Sequence, residues 1–185
     1  MFVRARAAAR VVVLVLPGFV ACTGADPAAE IARASQALGR GAGHEALEGF
    51  ESALGALPQA DPAWRRAKLG RIEALILLDR QDFERAQRQA QEGAPPKAPR
   101  RAEAAFLEFA GTDPKTASSK EWRSVLSKLT EGALFDSAVV VLAKGLEVHA
   151  GDAELARCGD AIRVAAAKAG AKGALGSLAG LGYVE

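Results

Sequence analysis

An all-α fold, a helix-hairpin array of about eight helices, is what this 185-residue sequence predicts. Three observations lead there. Strong helix formers (Ala, Leu, Arg, Glu, Gln) dominate beyond the N-terminal segment, aromatic content is only 5%, and the remaining β-branched cluster is Val139 to Val141. Apolar residues recur at helical spacing, as in Leu47, Phe50, Leu54 and Leu57. Gly, Pro and Asp-Pro punctuation then cuts the chain into antiparallel pieces of about two to four turns each.

Element by element, Asp26-Pro27 opens a first helix to about Leu38, and Gly39-Arg40-Gly41-Ala42-Gly43 ends it. His44 to Leu57 is the second. Asp61-Pro62, an N-cap followed by Pro at the first helical position, starts a third that runs to Leu78. A fourth spans Asp82 to about Glu92 and is closed by Gly93-Ala94-Pro95-Pro96. Further helices are expected over about Pro99 to Ala110, Ser119 to Thr130, Leu134 to Val148 and Asp152 to Ala169. Residues 170–185 read as a Gly/Ala-rich, loosely held C-terminal tail.

The N-terminal segment stands outside this fold. Arg4, Arg6 and Arg10 precede an apolar run from Val11 to Leu16 and then Pro17-Gly18-Phe19-Val20-Ala21-Cys22, the charged, apolar and small-residue order of a bacterial export signal. The run is well short of the ~20 residues that span a bilayer as a helix. Its end resembles a lipobox, in which a small residue precedes a cysteine that is acylated and becomes the mature N-terminus. Ala21 and Cys22 fit, and Phe19 stands where the family usually has Leu. The resemblance implies a signal peptide over residues 1–21, a lipidated linker over 22–25 with Cys22 as the attachment site, and the helical domain over 26–169. With Thr23 after the Cys, the family's sorting habit implies an outer-membrane lipoprotein facing the periplasm. Cleavage after Ala25, giving a soluble periplasmic protein, is the alternative.

Removing the three signal arginines leaves 21 basic against 22 acidic residues, so global charge gives no argument for nucleic acid. With Cys22 acylated, Cys158 is alone, which excludes a disulfide within the chain and a C-x-x-C site.

Ala46, Phe50, Ala53 and Pro58 have the small, aromatic, small, proline spacing of the second helix of a tetratricopeptide repeat, and the chain resembles that family over about Asp26 to Ala150. A second copy is read from Trp122, Val125, Leu126 and Leu129, with Ala138 and Leu142 following. A third and weaker copy uses Ala74, Leu77 and Ala86, with Gly70 and Ala90 at the aromatic positions. Spacing is uneven: 40 residues from Ala46 to Ala86 and 52 from Ala86 to Ala138, against about 34 in the family. The helix around Phe106 and Phe109 finds no place in the scheme. Buried Phe50, Trp122 and Leu142 are what the resemblance implies. The C-terminal Leu178-Ala179-Gly180-Leu181-Gly182-Tyr183 is similar to the tail of many bacterial tetratricopeptide proteins and some exported sulfatases, and implies an aromatic anchor in which Gly182 turns Tyr183 onto the last helix.

An enzyme is not expected, and neither are cofactors or a metal. There is no His-Glu-x-x-His and no Gly-x-Ser-x-Gly, and Gly39 to Gly43 lacks the Gly-Lys-Ser/Thr ending of a phosphate loop. His149 reads as a helix-end residue facing the dipole, and Cys158 as a small buried hydrophobe.

One charge feature remains. From Arg65 to Arg101 there are ten basic and five acidic residues, while the flanks are acidic. Lys68 and Arg71 precede Ala86 by 18 and 15 residues, and Lys120 and Arg123 precede Ala138 by the same intervals. The repeat resemblance implies that these four face one concave groove and bind a protein partner, an acidic peptide or a C-terminal carboxylate. Their plain alternative is solvation of an outer face. The function expected is therefore a lipid-anchored, periplasm-facing adaptor or scaffold in envelope assembly or secretion, with the layout of the barrel-assembly lipoprotein and pilus pilotin families. The alternatives are an accessory subunit of an exported enzyme such as a sulfatase or hydrolase, and a soluble periplasmic helical-repeat protein.

Overall fold

The computed structural model describes residues 26–90, 96–111 and 117–183, so the signal segment, Cys22 and the linker lie outside the described residues. Every regular element among the described residues is an α-helix: α1 (Pro27–Gly39), α2 (Gly43–Ala56), α3 (Pro62–Gln89), α4 (Arg101–Gly111), α5 (Ser119–Glu131), α6 (Phe135–Val148), α7 (Ala153–Ala169) and α8 (Lys172–Gly180). Local chemistry starts them. Asp26 and Asp61 each accept a hydrogen bond from the backbone N–H two residues on, with Pro at the first helical position. Ser118 and Glu121 form a reciprocal capping box at α5, and Asp152 accepts from the N–H groups of Glu154 and Leu155 at α7. Gly170, at φ +68°, ends α7 in the left-handed region open to glycine.

Successive helices pair as hairpins, α1 with α2, α3 with α4, α5 with α6 and α7 with α8, and the hairpins stack. Contacts run α1 to α3 to α5 to α7 along one layer and α4 to α6 to α8 along the other, with α2 lying on α1 and α3. This is a helical array with repeat-like stacking.

Three expectations need correction. The third and fourth helices are one, the 28-residue α3. Polar Asp79-Arg80-Gln81-Asp82 interrupts the apolar pattern, but no Gly or Pro breaks the backbone there. Asp79 is instead 1% exposed, and its carboxylate accepts from Arg101 Nε at 2.6 Å and from the Ala102 N–H at 2.9 Å, anchoring the start of α4. Arg101 also donates to Asp82 at 2.6 Å, and the bond from Asp79 foremost raises its already high pKa. Consequently Ala74 and Ala86 share one helix and the third repeat copy does not exist as read. The helix that had no place, α4, is the partner of α3, with Phe106 and Phe109 buried. Finally, the tail is not loose: α8 forms within it, burying Ala174 and Leu178.

The expected aromatic anchor is present. Gly182 adopts φ +94°, and the Tyr183 hydroxyl donates to the Ala156 carbonyl at 2.8 Å with its ring on Gly159. Phe50, Trp122 and Leu142 are all buried. Trp122 meets Phe106 edge to face at 4.7 Å and lies on Gly145, where a Cβ would come within 2.9 Å of the indole.

Candidate functional site

One face of α1 carries small or apolar side chains, beside the exposed Arg33 and Gln36. Ala28, Ile31, Ala32, Ser35 and Leu38 follow the spacing of one helical face, and that face lines an open trough against α3 with a volume of about 730 Å³. Phe50, Leu69 and Gly70 line it from α2 and α3. Small residues bring α1, α2 and α3 close together. Gly49 meets Ala34 closely enough that a Cβ would lie 2.9 Å from the alanine methyl, and Gly70 receives the Phe50 ring where a Cβ would lie at 2.4 Å. Its polar points are Arg66, which is exposed, and Glu73, whose carboxylate pairs with Lys128 of α5 at 2.8 Å. A smaller hollow of about 180 Å³ continues past that pair to Ile76, Leu77 and Arg80.

None of the four basic residues singled out in the sequence lines this trough. Lys68 turns toward α4, 4.0 Å from Glu108 and 5.4 Å from the Trp64 ring. Arg71 turns toward α2 and donates to Glu51 at 2.9 Å. Arg123 donates to Glu154 of α7 at 3.5 Å, and Lys120 is exposed at the start of α5. Three of the four thus meet acids on three different helices, because the true α3 register turns positions 68 and 71 toward α4 and α2 rather than toward the trough. Periodicity alone missed Arg66, Glu73 and Lys128, since nothing local distinguishes them from solvated charges.

A second polar constellation joins the layers. Arg65 of α3 donates from Nε and Nη2 to the two oxygens of Glu121, at 2.8 and 2.5 Å, and its guanidinium lies 5.3 Å from the Phe109 ring centroid. Burial raises the Glu121 pKa, but hydrogen bonds from Arg65 and Ser118 together outweigh it and hold the carboxyl below its ordinary value. Here the capping box of α5 doubles as the receptor for an α3 arginine, so one acid fixes both the helix start and the interhelical register.

Cys158 is half-buried, donates to the Glu154 carbonyl at 3.5 Å, and has its thiol pKa pushed up foremost by burial, against nucleophilic use. His149 caps α6 and lies 3.2 Å from the Ala117 carbonyl. Among the described residues no cluster of His, Cys, Asp and Glu could hold a metal ion, and no helix is long and apolar enough to cross a membrane. No protein-family profile, curated protein or solved structure matches the chain.

Proposed function

We propose that this protein is a helical-repeat adaptor, tethered through a lipid on Cys22 to the outer membrane and facing the periplasm, that holds a protein partner in the trough along α1 and α3. One observation carries the partner-binding part: a face of small and apolar side chains left open along a stacked helical array, lined also by Arg66 and the Glu73 to Lys128 pair. Such a surface suits an apolar peptide segment that also offers a polar group to Arg66 or the Glu73 to Lys128 pair. The tether rests on the lipobox resemblance at Ala21-Cys22. The tetratricopeptide resemblance is supported by the hairpin stacking and by the buried Ala46, Phe50, Ala53, Trp122 and Ala138.

Two experiments test these parts separately. Expression in a Gram-negative host should give acylation by a palmitate analogue that Cys22→Ser abolishes, whereas an unlabelled product beginning at Asp26 would favour the soluble reading. For the trough, partners cross-linked in the envelope should be lost with Ala32→Trp, which fills the open face. They should be retained with Arg71 and Arg123 both changed to Glu. The reverse pattern would place binding on the basic residues instead.

A further inference from the structure

The array ends in α7 and α8, and terminal elements of stacked arrays ordinarily turn a polar face to water. The outer face of α7 does so at Arg157, Asp160 and Lys168, but its centre is apolar. Val164, on the side opposite buried Leu155, Ile162 and Ala166, is 46% exposed, the most exposed large apolar side chain among the described residues. Around it the sequence is balanced. Ala161 and Ala167 lie three residues to either side, and Asp160 and Lys168 lie four to either side, all of them exposed. Neither Asp160 nor Lys168 joins an ion pair among the described residues, although neighbouring Arg157 is taken by Glu154 at 2.5 Å.

That pattern is complementary to itself when reversed. Two copies of α7 packed antiparallel about a two-fold axis at Val164 would set Val164 against Val164. Each Asp160 would come level with the other copy's Lys168, and each Ala161 with the other copy's Ala167. An isologous contact requires this correspondence, in which residue i meets j and j meets i. The alanines permit an interaxial distance near the lower end of the usual ~8 to 10 Å, so that a lysine side chain spans to the facing carboxylate. We propose that the outer face of α7 is the interface of a two-fold homodimer centred on Val164, with Asp160 and Lys168 setting its antiparallel register. The inference is independent of the trough and of the lipid, since it uses a different helix face.

Charge reversal and symmetric cross-linking test it on the full chain with Cys22 and Cys158 both replaced by Ser, folding being checked by circular dichroism. The added Val164→Cys should oxidise to a disulfide-linked dimer, because the axis places both copies of residue 164 together. Ala153→Cys, on the same outer face but eleven positions away, should not. In sedimentation equilibrium, Asp160→Lys or Lys168→Asp alone should weaken dimerisation by about tenfold or more, since like charges then face each other. The two changes combined should restore it. If one single variant fails to fold, the other carries the same comparison. A monomeric parent chain, equal cross-linking at 153 and 164, or a combined variant no better than the singles would each overturn the interface.

Discussion

Around α1 and α2 the helices meet through alanines, whereas the rest of the array meets through large side chains. The first cluster contains Ala34, Ala37, Ala46, Ala53, Ala67 and Ala74 with Phe50 as its one large buried member. The second gathers Phe106, Phe109, Trp122, Leu126, Leu129, Leu142, Leu155 and Ile162 among others. The two share α3, whose Ala67 and Ala74 face one cluster and whose Ile72, Leu75 and Ile76 face the other. Small seams bring backbones close but bury little apolar area per residue, at about 25 cal/mol per Å². The same smallness leaves an unfilled face on α1. The trough and the alanine seam thus go together, and the larger core supplies the platform that holds α3 in place.

Removing the large aromatic of each cluster breaks the comparison most severely. Trp122→Ala should cost about 3 to 5 kcal/mol in global unfolding by denaturant, because the indole is 1% exposed and meets Phe106 and Gly145. A loss below about 1 kcal/mol would contradict its burial. Phe50→Ala falls in the same mutational class, but its effect should concentrate in α1 and α2, with little change in α5 to α7. Uniform loss of protection in both halves would show that the clusters are not separable.

Next come the glycines that receive aromatic rings. Gly70→Ala would put a methyl 2.4 Å from the Phe50 ring, which is buried, and should cost about 1 to 3 kcal/mol by overpacking. Gly159→Ala meets Tyr183 at 2.1 Å, but that ring follows the last described helix and can swing outward, so its cost in thermal unfolding should be smaller. A larger cost at Gly159 would mean that the C-terminal anchor, not the Phe50 seam, is the stiffer contact.

The smallest effect is a pH dependence. Since Glu121 has a pKa below the ordinary 4.5 when folded, its contribution is present above about that pH and is lost as pH falls through the folded value. Glu121→Gln should therefore narrow the loss of stability with acid below about pH 4.5, relative to the parent chain. Parallel stability curves in that range would deny the Arg65 bond its role.

Much of the fold is written locally, and the site is not. Asp26, Asp61 and Asp152 announce helix starts because each cap involves residues two or three apart. Phe50, Trp122 and Leu142 are legible as core because helical spacing sets them among other apolar residues. Continuity through Asp79 was hidden, since the residue that satisfies its carboxylate, Arg101, lies 22 positions away. That one misreading displaced the hairpin register and with it the expected groove: Lys68 and Arg71 followed the wrong partner helix. Arg66 and the Glu73 to Lys128 pair become visible only when α1, α3 and α5 are placed side by side.

Hydrogen exchange followed by mass spectrometry on the unmodified chain tests the division between the two packing regimes most directly. The account predicts that the amides of α1 and α2 exchange through local opening, markedly faster than those of α5 and α6, whose protection approaches the global unfolding limit. Equal protection of the two hairpins, or slower exchange in α1 and α2, would contradict it.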